Sequence, residues 1–125
     1  MEKKTASLTI YGRLDGLNEY TRACRSNKYE GAAAKRKNER LIMGSIAEQL
    51  QGVHFGKPVK LVFKWYEPNR RRDLDNVSSA KKFIQDALVK SGVLEGDGWR
   101  HIAGFIDEFY VDKGRPRIEV IISEV

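Results

Sequence analysis

The chain has 125 residues, of which 41% are apolar and 32% charged, and its net charge is +6. This size is typical of one soluble globular domain with a single core. No apolar run approaches the roughly 20 residues of a membrane-spanning helix, and the N-terminus lacks the apolar stretch of a signal peptide. The single cysteine excludes an internal disulfide, and no Cys/His cluster offers a zinc site. We therefore expect a cytoplasmic protein.

The positive charge is concentrated in the first part of the chain. Residues 1–72 contain 16 Lys and Arg against 7 Asp and Glu, a net +9, whereas residues 73–125 contain 7 against 10, a net −3. A basic surface that binds phosphates beside an acidic site that binds cations would produce this division. A basic surface that only aids solubility would produce it as well, so charge alone leaves a nucleic-acid partner open.

The first half of the chain predicts two strands and one helix. Ser7–Tyr11 has the alternation and the residue types of a strand. The polar, glycine-interrupted segment 12–29 is expected to be an ordered loop. Apolar residues at helical spacing predict a helix over Ala32–Leu50, which a glycine ends and whose outer face is basic. Lys60–Tyr66 is a strand that the following proline ends.

A second helix follows. Asn76 or Ser78 is its expected N-terminal cap, and Gly92 stands where a C-terminal cap belongs. The apolar face of this helix consists of Val77, Ala80, Phe83, Ile84, Ala87 and Leu88. A glycine-rich turn at residues 95–99 comes next.

The chain ends in two further predicted strands. Ile102–Val111 and Pro116–Ile122 are interpreted as a hairpin that turns at residues 112–114. The resulting order is β-α-β-α-β-β. We therefore expect residues 1–125 to form a single α+β domain, with one mixed sheet of about four strands and two helices packed on it.

Two aspartates follow the strand at residues 60–66. Asp73 and Asp75 are two residues apart, so on an extended backbone their carboxylates point to the same side. Mg²⁺ prefers oxygen ligands and retains several waters, so two or three carboxylates are enough to bind it. Asp97, in the glycine-flanked turn, is the candidate third ligand. As isolated patterns, these aspartates are more often a helix cap and a turn residue.

A lysine on the second helix is a candidate phosphate-binding group. If helical phase continues from Asp75, then Ser79, Lys82 and Asp86 lie with it on one stripe opposite the apolar face. The Lys82 ammonium would then contact a scissile phosphate. The alternative is that Lys82 and Asp86 form an ordinary i,i+4 ion pair on a solvated helix face.

The same region carries a family resemblance. The segment 70–76, Arg-Arg-Arg-Asp-Leu-Asp-Asn, is followed by a helix with a lysine and an Asp-Ala-Leu triplet, by Gly-Val and by an acidic turn. This pattern resembles the RusA family of Holliday junction resolvases, which are small endodeoxyribonucleases of bacteria and their prophages. The resemblance extends over about residues 17–122 and includes Asn-Glu-Tyr-Thr-Arg at 18–22.

The resemblance implies a metal-dependent nuclease site. Asp73, Asp75 and Asp97 match the family's catalytic, metal-binding aspartates. Lys82 matches the family's catalytic lysine when the position is counted back from the Asp-Ala-Leu triplet, whereas counting forward from Asp75 gives Ser79. The implied cofactor is Mg²⁺, with Mn²⁺ as an alternative, and no organic cofactor. The implied activity is hydrolysis of DNA phosphodiesters at four-way junctions in recombination and repair.

The resemblance also implies the partners. A four-way junction has two symmetric strands to cut, so we expect a two-fold homodimer of a bacterial or prophage-encoded protein. Trp65, Trp99 and Phe105 are candidate dimer contacts, although such residues more often pack in a core. The residues expected to bind DNA are Asn18, Arg22, Lys35, Arg36, Arg70, Arg71 and Arg72.

Two rival functions stay open at this point. One is a nucleic-acid-binding module without catalytic chemistry, in which the aspartates cap a helix and offset the arginines. The other is a nuclease that acts on other branched DNA or on RNA. An enzyme for small molecules is disfavoured because no phosphate-cradling glycine loop or cofactor fingerprint occurs.

Overall fold

Residues 3–125 are described by a computed structural model. None of the helices in this range has the length and apolar content that a membrane crossing requires. The elements in chain order are β1 (Thr5–Tyr11), α1 (Leu17–Ser26), α2 (Lys28–Gln49), β2 (Val59–Glu67), α3 (Leu74–Ser78), α4 (Lys81–Lys90), β3 (Ile102–Val111) and β4 (Arg117–Glu124).

The four strands form one mixed sheet in the order β1-β4-β2-β3. β4 is antiparallel to both β1 and β2, whereas β2 and β3 are parallel. β1 and β3 are therefore the edges of the sheet. The predicted α+β class, the mixed four-stranded sheet and the order of elements are confirmed. The structure adds α1 to the two predicted helices and divides the second of them into α3 and α4.

One face of the sheet is buried against the helices. Val59, Leu61, Phe63 and Trp65 of β2 are buried because alternate strand residues point to the same face. They share a core cluster with apolar residues of α2 and α4. The intervening strand residues face away from this core and are exposed or half-buried. The predicted apolar stripe is buried in full, at Val77, Ala80, Phe83, Ile84, Ala87 and Leu88.

The segment 12–29 is not the predicted loop, because it contains α1. The carboxylate of Glu19 accepts the N–H of Gly16 at 3.4 Å and so stabilises the first turn. No residue of α1 is fully buried, although Tyr20 packs against the core with its ring centroid 5.2 Å from that of Phe83. The polar composition and the two preceding glycines favour the loop prediction and conceal the apolar spacing of Leu17, Tyr20 and Cys24. Asn27 ends α1 and begins α2, since its side chain accepts the N–H of Glu30 at 2.9 Å.

The predicted hairpin of the last two strands is wrong. β3 and β4 do not pair, since β2 lies between them. The connection 112–116 instead crosses the end of β2, where the Asp112 N–H donates to the Glu67 carbonyl at 2.8 Å. It ends beside β1, where the Gly12 N–H donates to the Pro116 carbonyl at 2.9 Å. The turn residues at 112–114 correctly predict that β4 runs opposite to β3. They do not predict which strand β4 pairs with.

The predicted N-terminal cap at Asn76 or Ser78 is also wrong. Asn76 is buried inside α3, where its Oδ1 accepts the N–H of Asn18 at 2.8 Å and so joins α3 to α1. The residue before α4 is Ala80, which has no capping side chain. At the other end of α4, Gly92 has the positive φ of 85° that the predicted glycine cap requires.

We expect Gly16→Ala to destabilise the fold. A Cβ at this position would lie 2.6 Å from Oδ1 of Asn76 and 2.8 Å from its carbonyl oxygen. The contact between α1 and α3 must then open, at a cost of about 1–3 kcal/mol in the free energy of unfolding. Urea unfolding followed by circular dichroism measures the change.

Gly44→Ala is the matched control, because nothing lies within 4 Å of a Cβ at that position in α2. We expect it to raise the free energy of unfolding by about 0.5–1 kcal/mol, since glycine is a poor residue for a helix interior. Equal effects of the two substitutions would show that the close approach of Gly16 to Asn76 does not constrain the fold.

Candidate metal and nucleic-acid site

The candidate site residues lie on the crossover between two parallel strands. Because β2 and β3 are parallel, the chain must return from the carboxyl end of β2 to the amino end of β3. Asp73 and Asp75 lie at the beginning of this crossover, and Asp97 lies near its end, shortly before β3. α3 and α4 occupy the segment between them.

Asp73 and Asp75 are both exposed at the start of α3. Among residues 3–125, neither carboxylate forms an ion pair. Oδ1 of Asp75 accepts the N–H of Asn76 at 2.9 Å. Asp73 has an extended backbone, but Asp75 already belongs to the helix, so the geometry expected for an extended pair is not present. Both carboxylates nevertheless stay open to a cation from solvent.

Asp73 lines a concavity of about 630 Å³ at the carboxyl ends of β2 and β3. Its wall also includes Arg70 and Arg72 and the apolar side chains of Leu74 and Phe109. The volume falls in the range of about 300–1,000 Å³ that small-ligand sites have. A substrate group therefore has room beside Asp73.

Asp97 is bound by Lys82. Nζ of Lys82 donates to Oδ2 of Asp97 at 2.8 Å and lies 3.0 Å from Oδ1 of Asp86. The hydrogen bond from Lys82 holds the pKa of Asp97 below its ordinary value, and the same contacts raise the pKa of Lys82. The i,i+4 ion pair that the sequence allowed for Lys82 and Asp86 is thus present. The positive charge beside Asp97 is the Lys82 ammonium.

The three candidate aspartates are not gathered into one group. Asp97 is held beside Asp86 of α4 by Lys82, whereas Asp73 and Asp75 lie at the start of α3. Within the described residues, no three His, Cys, Asp or Glu side chains are placed to hold a metal ion together. Asp73 and Asp75 are the two candidate carboxylates that have no cationic partner among the described residues.

The helical stripe expected from Asp75 onward is interrupted where α3 meets α4. The N–H groups of Lys82 and Phe83 each donate to the carbonyl three residues before, at 3.4 and 3.0 Å. This turn is tighter than an α-helix and shifts the phase of the residues that follow. Ser79, the alternative position for the lysine, donates its hydroxyl to the Asn76 carbonyl at 2.7 Å.

The three consecutive arginines have different environments. Arg72 donates to the Leu14 carbonyl at 3.1 Å and pairs with Glu19. It therefore fixes α1 against the start of α3, and the expected phosphate contact would require these bonds to break. Arg70 and Arg71 are exposed and form no ion pair in the described part of the chain. These two are available to bind an anion.

The other residues expected to bind DNA lie on the outer surface of α1 and α2. Asn18 and Arg22 line a concavity of about 680 Å³ along α1. Lys35 and Arg36 are exposed on α2. Lys35 also lines a concavity of about 530 Å³ that includes Asp97. The basic surface of α2 therefore extends to the turn that carries the third candidate aspartate.

Sequence reasoning does not single out Lys81, which is more buried than Lys82. Lys81 pairs with Asp107 of β3 and lies over the Phe105 ring, 4.1 Å from its centroid. Asp107 also accepts the indole N–H of Trp65 at 2.8 Å. The available signal is spacing, because Lys81 lies three residues before Ile84 of the buried stripe and so faces the sheet. These contacts tie α4 to the edge strand.

Comparison with known proteins adds no family assignment. No family model matches the chain, and no curated protein matches it. The resemblance to junction resolvases therefore stays a prediction, carried by the crossover between β2 and β3 and by the segment 18–22.

Removal of Lys82 is expected to raise the pKa of Asp97. The hydrogen bond from Lys82 favours the ionised carboxylate, so in Lys82→Gln the midpoint of Asp97 should move up toward the ordinary aspartate value. Carbon-detected NMR titration of the carboxyl group measures the midpoint. Lys90→Gln is the control, because the Lys90 ammonium pairs with Glu39, at 3.2 Å, and not with Asp97.

The same shift predicts a dependence of stability on pH. The pKa of Asp97 is lower in the folded than in the unfolded chain, so the pair stabilises the fold above the unfolded-state pKa. This contribution is lost as the pH falls through the folded-state pKa. The stability difference between wild type and Lys82→Gln should therefore be present at neutral pH and shrink in acid. Equal Asp97 midpoints in the two proteins would contradict the pairing.

Proposed function

We propose that this chain is a Mg²⁺-dependent endodeoxyribonuclease that hydrolyses phosphodiesters of branched DNA, with four-way junctions as its substrate class. The observation that carries the proposal is the solvent-facing pair Asp73 and Asp75, which stands beside the exposed Arg70 and Arg71 without pairing with them. Mg²⁺ is usually bound by one or two carboxylates together with substrate phosphates. In the proposal, one or both of these carboxylates would meet this requirement without Asp97, and Mn²⁺ would fit the same oxygens.

In this proposal the protein groups bind and orient the DNA. Asp73 and Asp75 would hold the ion, and Arg70 and Arg71 would bind backbone phosphates on either side of the cut. Bound Mg²⁺ would supply an acidified water and neutralise the charge of the phosphate oxygens. The concavity beside Asp73 would accept the nucleotide next to the scissile bond.

Lys82 and Asp97 would act together rather than separately. The Lys82 ammonium is shared between Asp97 and Asp86. A DNA phosphate near Lys82 would compete with Asp97 for this ammonium and release the carboxylate. Lys82 would then contact phosphate, and Asp97 would be free to serve as an additional ligand, as the resemblance implies.

The symmetry of the substrate supports a homodimer. A four-way junction offers equivalent positions on two strands, and a two-fold dimer would place one site at each of them. Such a protein would work in recombination and repair, in the bacterial cytoplasm, and would be encoded by the bacterium or by a prophage.

A second candidate function is a DNA-binding module without hydrolytic activity. The observation that favours it is that Lys82 already neutralises Asp97, while no three ligating side chains of the described residues are grouped for a metal ion. In this case Asp73 and Asp75 would only balance the neighbouring arginines. The same cleavage experiment separates the two candidates.

We expect Asp75→Asn to abolish cleavage and to retain binding of a four-way junction. Even outer partners of metal ligands cost about 10–100-fold in activity when substituted, so losing a ligand should cost at least about 100-fold. Binding should be equal or tighter, because a negative charge facing phosphate is removed. The measurement is single-turnover cleavage of a labelled junction with and without Mg²⁺, beside gel-shift binding in EDTA.

Glu48→Gln is the matched control, since Glu48 is exposed on α2 and forms no ion pair among the described residues. It should cleave at the wild-type rate. Cleavage by Asp75→Asn at that rate would overturn the metal assignment. Wild-type protein that binds the junction but does not cut it in Mg²⁺ or Mn²⁺ would favour the second candidate function.

We expect Lys35→Gln and Arg36→Gln to reduce the salt dependence of DNA binding. Each phosphate contact contributes about 0.9 to the slope of log K against log salt for duplex DNA, so each substitution should lower the slope by roughly that amount. Lys60→Gln removes the same charge from the uncovered face of the sheet and should leave the slope unchanged. Fluorescence anisotropy over a series of salt concentrations measures the slopes, and equal slopes in all variants would exclude this surface from DNA binding.

A further inference from the structure

Trp99 is completely exposed, with a relative accessibility of 100%. The other two aromatic residues considered as dimer contacts differ from it, because Trp65 is in the core at 2% and Phe105 is half exposed beside Lys81. A large ring in water gains nothing from burial in the free protein. Its ring is therefore free for a ligand or a partner to cover.

The backbone that presents Trp99 is fixed. The Gly98 carbonyl accepts the N–H groups of His101 and Ile102, both at 3.0 Å, and so closes the turn on which Trp99 lies. The His101 carbonyl in turn accepts the Val59 N–H at 2.9 Å, which ties the turn to β2. A platform whose backbone is already ordered loses less entropy when it binds.

The same turn is anchored on its other side. A Cβ at Gly96 would lie 2.6 Å from the His101 ring, so the chain segments before and after Trp99 approach each other closely. The next residue, Asp97, is held by Lys82 of α4. Trp99 therefore lies on a loop that is held both to β2 of the sheet and to α4.

The surroundings of Trp99 are charged and not apolar. Arg100 is exposed beside it. The concavity that includes Asp97 is lined by three lysines and three carboxylates, and among its lysines Lys35 has no ion-pair partner in the described chain, whereas Lys82 and Lys90 are paired. No other large apolar side chain is exposed between residues 90 and 104. A protein interface has an apolar centre that is depleted of charge, whereas single-stranded nucleic acid is bound by an aromatic ring with cations that follow the backbone.

We infer that Trp99 is a stacking platform for an unpaired nucleobase of DNA, with the exposed cations Arg100 and Lys35 binding the flanking phosphates. The inference rests on the proposed DNA substrate but not on its hydrolysis. Bases that are unstacked at a branch point would present the face that such a ring needs. The platform would also bring the bound strand to the loop that carries Asp97.

Intrinsic fluorescence in EDTA tests the inference, because the two tryptophans differ in environment. Trp65 is buried with its indole N–H bonded to Asp107, so the water-exposed emission belongs to Trp99. A single strand of about 16 nucleotides, long enough for known single-strand sites, should quench that emission. A blunt duplex of the same length, bound to the same saturation, should leave most of it unchanged.

The variants follow from the same reasoning. Trp99→Ala should weaken binding of the single strand by about 5- to 100-fold, the range that stacking on one aromatic ring contributes. It should weaken binding of the duplex by less than about 2-fold, and Trp99→Phe should restore most of the single-strand affinity. The melting temperature should stay unchanged in both variants, since the ring contacts solvent only.

Three outcomes of the binding and sedimentation measurements would overturn the inference, and the cleavage assay supplies a fourth. One is unquenched exposed emission at saturating single strand, and another is an equal loss of single-strand and duplex affinity in Trp99→Ala. The third is a dimer that sedimentation shows to dissociate in Trp99→Ala while DNA affinity stays constant, since a second copy of the chain would then cover the ring. Cleavage that persists in Trp99→Ala with no change in binding would sink this inference alone. Quenching by single strands without any cleavage in Mg²⁺ would instead sink the proposed hydrolysis.

Discussion

The parallel pairing of β2 with β3 is the constraint on which the rest of the structure depends. Two parallel neighbours cannot be joined by a tight turn, so the chain must cross the sheet between them, and α3 and α4 make that crossing. The buried stripe of these helices forms much of the core. The candidate catalytic residues Asp73, Asp75, Lys82 and Asp97 consequently all lie on the connection between β2 and β3. This connection begins at the carboxyl end of β2 and ends at the amino end of β3, which lie at opposite ends of the strand pair.

The two ends of this crossover differ in how their charges are balanced. At its start, Asp73 and Asp75 have no cationic partner in the described chain, although exposed arginines stand close by in sequence. At its end, Lys82 neutralises Asp97 within the protein. Carboxylates that stay unpaired although arginines are close in sequence depart from the usual balance of charges, and such departures are typical of ligand-binding sites. The uncompensated end is therefore the stronger candidate for ligand binding, and the compensated end is the one that a ligand would have to open.

Most elements were predictable from the sequence, and α1 was missed. The strands and the helices α2 and α4 follow from their apolar spacing and their flanking turn residues. The segment of α1 is polar and follows two glycines, and its place depends on contacts distant in sequence, such as those of Tyr20 with Phe83 and of Asn18 with Asn76. The hairpin failed because a turn signal is local, while the place of β2 between β3 and β4 depends on the burial of the whole sheet. For the site, the i,i+4 pair of Lys82 and Asp86 was accessible to sequence reasoning. The hold of Lys82 on Asp97 was not, because it joins residues fifteen apart through a turn.

The ion pair between Lys81 and Asp107 has a consequence for the edge of the sheet. β3 is ten residues long and leaves one side of its backbone without a partner in the described chain, and strand edges of this kind are templates for aggregation. Asp107 projects from the middle of that edge toward the helices, where Lys81 meets it. A strand of another molecule that paired with β3 would place its side chains against the ion pair of Lys81 and Asp107. It would then desolvate these charges, which costs free energy. The contact that fastens α4 to the sheet thus also helps to keep separate molecules from joining edge to edge.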